Sequence, residues 1–393
     1  MLQLPIYLDY NATTPCDPRV AEAMTPYFTR IFGNAASRDH SFGWQAEEAV
    51  AYAREQVAKL IGADPKEIIF TSGATEADNL AIKGVFETYA VKGNHIITSC
   101  IEHKAVLDTC RHLEKEGAEV TYLKVNEKGL IDLAELEAAI KPSTILIALM
   151  YANNEIGNIM PVKEISAIAK KKDIIFFSDA TQAVGKISVD INVDGIDLMA
   201  LSAHKMYGPK GAGALYIRRK NPRVKLTPQM DGGGHERGIR SGTLNVPGIV
   251  GLGKAAEICM LEQGEESKRI SRLRDKLEQG LLQIEGTSLN GDNNQRLPNV
   301  TNIAFKNIEN DGLIMAIHKN IAISSGAACS SATPEPSHVL KALGLDDELA
   351  NSSIRFSLGR FTTEEEIDYV IGEVTAKAKE LKQTKSFIQE TNS

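Results

Sequence analysis

The 393-residue chain has no basic block of the kind that tracks a phosphate backbone, and its net charge of −7 is mild, so nucleic acid is not an expected partner. It has no apolar run near the roughly 18 residues that a membrane span needs, and Met1 to Asp9 lacks both a basic stretch and an unbroken apolar stretch. No membrane partner is expected, and the cytoplasm is the expected compartment. There is no internal repeat and no low-complexity tract. Gly-x-x-x-x-Gly-Lys-Ser/Thr is missing, and Gly208-Pro209-Lys210-Gly211-Ala212-Gly213 does not fit a dinucleotide fingerprint, so the nucleotide readings fall away. Cysteine is scarce: Cys16, Cys100, Cys110, Cys259 and Cys329 are an odd set without a Cys-x-x-Cys pair. They cannot all pair within one chain and give no zinc or redox motif, so reduced thiols are expected.

What the chain has is apolar residue, 43% of it, enough for a large core in two or three units. From about Asp64 to Arg219, strand-like runs alternate with helical patterns, among them Glu67 to Phe70, His95 to Thr98, Val120 to Leu123 and Ile145 to Leu149. That alternation predicts a mostly parallel sheet covered by helices. A helix opens at Pro161, and near Cys259 a charged helix leads into a smaller domain with strands at Val300 to Phe305 and Ile354 to Leu358. A final helix starts at Thr362, with Thr362 and Glu365 at capping-box spacing and Ile367, Val370, Ile371 and Val374 on one face. The expected division is a large domain over 14–258 and a small C-terminal domain over 259–393, with 1–13 an N-terminal arm packing on the small domain.

Two polar sets close buried strands: Ser178-Asp179-Ala180-Thr181-Gln182 follows Ile174 to Phe177, and Leu201-Ser202-Ala203-His204-Lys205 follows Ile196 to Ala200. In open α/β sheets, ligands sit where such strands end. Singly, each residue is ordinary, because a lysine there usually snorkels and an aspartate usually caps or turns. Jointly they suit pyridoxal phosphate, which a lysine holds as a Schiff base while an acid partners its pyridinium nitrogen. Thr71-Ser72-Gly73-Ala74-Thr75-Glu76 joins a strand to a helix, where free N–H groups and the positive helix end favour a phosphate. His103 stands between a strand and a helix, where an imidazole can stack on a ring and trade protons. Asn153-Asn154-Glu155-Ile156-Gly157 puts amide donors on the same rim. Cys329 lies in a run of small and turn-forming residues from Ser324 to Pro334, which suits a reactive nucleophile and an incidental loop cysteine equally.

These motifs, in order from Tyr7-Leu8-Asp9-Tyr10-Asn11-Ala12-Thr13-Thr14 to Ser357-Leu358-Gly359-Arg360-Phe361-Thr362, resemble those of NifS/IscS-type cysteine desulfurases of the class V aminotransferase family. The resemblance implies the α/β, aspartate-aminotransferase-like fold of fold-type-I pyridoxal phosphate enzymes, with a large mostly parallel sheet domain and a smaller α/β domain. It implies a homodimer that converts L-cysteine to L-alanine and leaves the sulfur on the enzyme for an iron–sulfur scaffold or another acceptor protein. It makes Lys205 the Schiff-base lysine, Asp179 the partner of the ring nitrogen, Gln182 the contact of the phenolic oxygen and His103 the stacking residue. Ala74, Thr75, Ser202 and His204 would hold the phosphate, with Thr243 of Arg240-Ser241-Gly242-Thr243 reaching in from the other subunit. Asn154 would lie by cofactor and substrate, Arg355 would grip the substrate carboxylate with its planar fork, and Cys329 would take the sulfur.

Gly33-Asn34-Ala35 stands where the family has Gly-Asn-Pro, and Ser202-Ala203-His204-Lys205 where this branch has Ser-Gly-His-Lys. The aromatic, acidic tail with which housekeeping members dock a scaffold does not follow Ser393 in this sequence, which leaves open how a sulfur acceptor is met. A different pyridoxal phosphate reaction on this fold, such as transamination or selenocysteine cleavage, would not need Cys329. A non-catalytic scaffold would need no cofactor at all.

Overall fold

The computed structural model describes residues 2–325 and 336–391, the side chains of 385–391 excepted, so Cys329 lies outside the described residues. The N-terminal arm contributes strand β1 (Ile6–Tyr7). Then come β2 (Ile68–Thr71), β3 (His95–Ser99), β4 (Glu119–Leu123), β5 (Thr144–Ala148), β6 (Ile175–Asp179), β7 (Leu198–Ser202) and β8 (Gly213–Ile217). They form one sheet in the order β2-β8-β7-β6-β5-β3-β4, in which β8 alone runs antiparallel to its neighbours. The expected mostly parallel sheet is present.

Its central strands are buried along their whole length, as strands covered on both faces must be. Because successive side chains alternate, Leu146, Phe177 and Leu198 enter one core cluster while Ile147, Phe176 and Met199 enter another. The helices Ala74–Thr88 and Lys104–Lys115 cover the first face. Ser41–Ile61, Val162–Lys171 and the start of Val246–Leu281 cover the second. Gly253 lets two of these helices touch, since a Cβ there would come within 2.5 Å of Ala53 Cα.

The smaller sheet joins β9 (Thr287–Asn290), β10 (Val300–Phe305) and β12 (Ser353–Ser357) antiparallel, while β11 (Ile321–Ala322) pairs parallel with β1. Its core holds Leu277, Phe305, Phe356 and Val370 together with Ile6 and Leu8 of the arm. The 36-residue helix Val246–Leu281 runs from one core to the other, Leu252 and Cys259 in the large one and Leu273 and Leu281 in the small, and so spans residues 258 and 259 without a break. Among the described residues no helix is long and apolar enough to cross a membrane.

Two helix starts differ from the sequence expectation. Pro161 is the N-cap of Val162–Lys171 rather than its first residue. The capping box sits one residue later than Thr362 and Glu365: Glu366 N donates to Thr363 Oγ1 at 3.2 Å, and Thr363 N donates to Glu366 Oε2 at 2.8 Å. Thr-Thr-Glu-Glu-Glu satisfies the spacing twice. The tie is broken by Thr362, which is buried and whose Oγ1 accepts from Gly359 N at 3.0 Å.

Candidate active site

β2, β3, β5, β6 and β7 run parallel to one another and end on one rim, because β2 and β7 both lie antiparallel to β8 between them. Outside that rim is a cavity of about 570 Å³. Ten of the residues singled out in the sequence line it: Ala74, Thr75, His103, Asn154, Asp179, Gln182, Ser202, His204, Lys205 and Arg355. Thr243 does not line it and is exposed, although its segment is tied nearby by the ion pair of Arg240 Nε with Glu76 Oε1 at 2.7 Å.

β7 ends at Ser202, and a single 3₁₀ turn, Ala203–Lys205, brings the lysine back over the rim. Lys205 Nζ donates to the carbonyl oxygens of Asn11 at 2.5 Å and Ala12 at 2.7 Å. Ala203, where glycine is usual, is fully buried, and the turn takes its methyl because residue 208 is glycine: a Cβ on Gly208 would lie 2.7 Å from Ala203 Cβ. His204 Nδ1 lies 3.1 Å from Thr13 Oγ1. Burial first, then the charges of Lys205, Lys210 and Lys186, bring His204 down to about 4, so its ring is neutral near pH 7. His103 is the N-cap of Lys104–Lys115, its Nδ1 accepting from Ala105 N at 3.1 Å. A backbone N–H can only donate, so the neutral ring carries its proton on Nε2.

Asp179, the last residue of β6, accepts from Thr181 N at 2.9 Å through Oδ1. Two further acids lie within its electrostatic reach. Asp78 is fully buried, neither carboxyl oxygen has a hydrogen-bond partner among the described residues, and burial, Asp179 and Glu102 hold it well above the usual carboxylate range. Glu102 Oε1 accepts from Ser99 Oγ at 2.7 Å and Met150 N at 3.0 Å, and burial, with a smaller push from Asp179, takes the group up to about 8. An acid raised in this way costs stability as pH rises from its ordinary value to its folded one, because the unfolded chain releases the proton first. Glu102→Gln keeps the Oε1 contacts and removes the proton, so its melting temperature should gain on the parent's by roughly 2–4 °C between pH 5 and pH 8.5. Melting curves that stay parallel across that window would show that Glu102 is not held protonated.

The smaller sheet brings Arg355 of β12 to the lining of the cavity. Its guanidinium pairs with Asp9 Oδ1 at 2.7 Å and donates to Asn154 O at 3.1 Å. Its Nε is buried and has no partner among the described residues.

The residue that ties these parts together, Asn11, was not singled out in the sequence. It is 1% exposed, and its N donates to Ser357 Oγ at 2.9 Å while its Nδ2 donates to Asn154 O at 3.0 Å. Its backbone oxygen accepts from Lys205 Nζ and from Gln182 Nε2, the latter at 3.0 Å. Its Oδ1 accepts from Asn299 Nδ2 at 2.9 Å and Lys186 Nζ at 3.1 Å. Asp9 and Lys186 were passed over as well. The available signal was the polar stretch Asp9 to Thr14 directly after the apolar Ile6 and Leu8.

The residues present fit pyridoxal phosphate. The helix Ala74–Thr88 starts without a side-chain cap. A Cβ on Gly73 would have Ser202 Oγ, 3.9 Å away, as its nearest neighbour, so the turn leaves room there for an anion. Thr181 Oγ1 and Arg355 Nε, on residues that line the cavity, are buried polar atoms without a partner among the described residues. A lysine and a carboxylate on adjacent strand ends supply the donor set that the cofactor needs.

Residues 6–370 match the family described as Aminotransferase class-V. A cysteine desulfurase IscS of Pectobacterium carotovorum is 61% identical over 372 residues, 94% of this chain and 92% of that one. Among solved structures, a NifS-like protein superposes with a TM-score of 0.88 at 40% identity over 95% of this chain and 99% of its own. A structure described as SspA in complex with cysteine does so with 0.81 at 38% identity, over 91% of this chain and 100% of that one. The fold-type-I expectation is borne out.

Proposed function

The chain belongs to the class-V aminotransferase family, and on that premise we propose that it is a pyridoxal-phosphate-dependent cysteine desulfurase, converting L-cysteine to L-alanine and keeping the sulfur as an enzyme persulfide. The observation that carries this reading is the meeting of Lys205, Asp179 and Arg355 around one cavity at the carboxyl ends of the strands. The cofactor, when bound, supplies an electron sink that weakens bonds at the substrate's Cα and at its carbon–sulfur bond.

The chain's own residues do the rest. Lys205 would hold the cofactor through its amine, and the same amine would move the substrate's Cα proton. Asp179 would hold a proton on the ring nitrogen, and Gln182 would offer an N–H to the phenolic oxygen. Arg355, held by Asp9 through one Nη2 contact, takes the substrate carboxylate. His103, with its proton on Nε2, would stack on the ring and return a proton during sulfur transfer. The Cys329 thiolate forms the new S–S bond as the carbon–sulfur bond breaks, and the electron pair left on carbon is protonated to give alanine. The persulfide then serves an iron–sulfur scaffold or another acceptor protein, in the reducing cytoplasm where such a thiol survives. The test is the product ratio: protein loaded with cofactor should be yellow and release alanine and sulfide in equal amounts from cysteine with a thiol reductant. An amino-group transfer product in place of alanine, or no turnover at all, would overturn the reading.

The working unit is a homodimer with shared sites. Phe28, Phe32, Phe42 and Trp44 are all at least 47% exposed, the ring centroids of Phe32 and Phe42 lie 5.3 Å apart, and such exposed aromatic surface suits a second copy, while Thr243 stands outside its own chain's cavity. Thr243→Ala subunits exchanged with Lys205→Ala subunits should regain about a quarter of parental activity, since half the dimers mix and each has one intact site. Exchanged subunits that stay inactive would place Thr243 in its own chain's site.

A further inference from the structure

Lys186 is a buried amine to which nothing above assigns a task. Gly185, at φ +81, turns the chain where a Cβ would strike Met206 Cβ at 2.7 Å, and Ser267 Oγ donates to the Lys186 carbonyl. The side chain is thereby led back beneath the site. Its stem is partly accessible, but its Nζ is enclosed and donates to Gln182 Oε1 at 2.5 Å and Asn11 Oδ1 at 3.1 Å.

A side-chain amide has two ends that differ only in hydrogen bonding, and its neighbours decide which end faces where. The Lys186 amine, charged or neutral, has N–H donors for both of its oxygen partners, so Oε1 of Gln182 faces it. The Asn11 carbonyl is acceptor-only, so Nε2 has to face that, and it does at 3.0 Å. An amide nitrogen carries two hydrogens. One is used by Asn11 O, and the second is left for the cavity that Gln182 lines.

We propose that Lys186 is a positioning residue that pins the Gln182 amide with its oxygen inward, so that the side chain presents an N–H donor to the cavity. Such a donor suits an anionic oxygen on a ring bound there, and this part of the inference rests on the desulfurase reading. The same pin holds Asn11, whose carbonyl receives Lys205, so the buried amine supports two contacts of the site from behind. Burial, and the charges of Lys205 and Arg355, push its own titration well below the ordinary lysine value.

The test begins with cofactor-free protein labelled with [15N-amide]glutamine, in which the Gln182 signal is the one missing from Gln182→Leu. Lys186→Met should shift and broaden that signal, and Lys186→Gln, which retains a donor, should largely restore it. In protein loaded with cofactor and free of substrate, Lys186→Met and Gln182→Leu should each move the pH midpoint of the visible band upward by roughly one unit. The double variant should move it no further than Gln182→Leu alone. A Gln182 signal indifferent to Lys186→Met, or band shifts that add, overturns the proposal. Failure of the parent to take up cofactor counts against the desulfurase reading instead, and the amide signal still decides the role of Lys186. A merely structural lysine would lower the melting temperature of Lys186→Met and leave both spectra in place.

Discussion

Cys329→Ser should still bind L-cysteine but form neither persulfide nor alanine, with a loss on the order of 10³-fold or more, the scale expected when a nucleophile is removed. The reason is chemical. Lysine and ring can activate the substrate, but only a thiolate is suited to accept the sulfur, and a serine hydroxyl has a far higher pKa. Binding and transfer should therefore separate, with cysteine still altering the visible band of the variant. The other cysteines give the control: Cys110 and Cys259 are buried with thiols pushed up to about 12 by burial, and Cys16 and Cys100 are raised in the same direction. Changing any of these four should alter stability at most. Trapping of the bound persulfide by alkylation, followed by mass mapping after one turnover, checks the assignment. Extra sulfur on another cysteine, or alanine formation at the parental rate by Cys329→Ser, would sink it.

Lys205→Ala should abolish turnover by a factor on the order of 10⁴ or more, because one amine both attaches the cofactor and moves the Cα proton. The turn at Ala74 and Thr75, proposed above to hold the phosphate, is unchanged in this variant, so it should retain cofactor reversibly and lose it on dialysis. Borohydride reduction of the parent followed by peptide mapping should place the pyridoxyl group on Lys205. The neighbouring amines make this a demanding check, since Lys186 lies within electrostatic reach and Lys210 lines the same cavity. A label on either would move the chemistry away from Lys205.

The parallel sheet and the strand-end residues were legible because both rest on local patterns: apolar runs of strand length, closed by polar groups that a buried strand does not carry. Asp179, Ser202 and Lys205 were found in that way. Asn11, Asp9 and Lys186 were not, because their partners lie at Ser357, Arg355 and Asn11, hundreds of positions away for the first two and 175 for the third. Hydrophobic periodicity carries no signal for such pairs. The capping box was misplaced for the opposite reason: the local pattern fits both Thr362 and Thr363, and the choice belongs to the Gly359 turn. Thr243 was singled out by resemblance alone, and one chain by itself does not bring it to the cavity.

The arm that carries Asn11 also constrains when the site can exist. Ile6 pairs with Ile321, and Asn11 N reaches Ser357 Oγ, 346 positions later. The part of the site made first is therefore completed last: the arm whose carbonyls receive Lys205 lacks its Ser357 contact until β12 has been synthesised. Large-domain strands can collapse meanwhile, but long-range closures of this kind form slowly. A nascent chain halted after Lys205 but before Ile321 would carry Lys205, Asp179 and the Ala74 turn, yet neither Arg355 nor the strands that the arm docks on, β11 and β12. Competence for chemistry thus waits on the synthesis of β12, which keeps half-made enzyme from holding cysteine in a finished site.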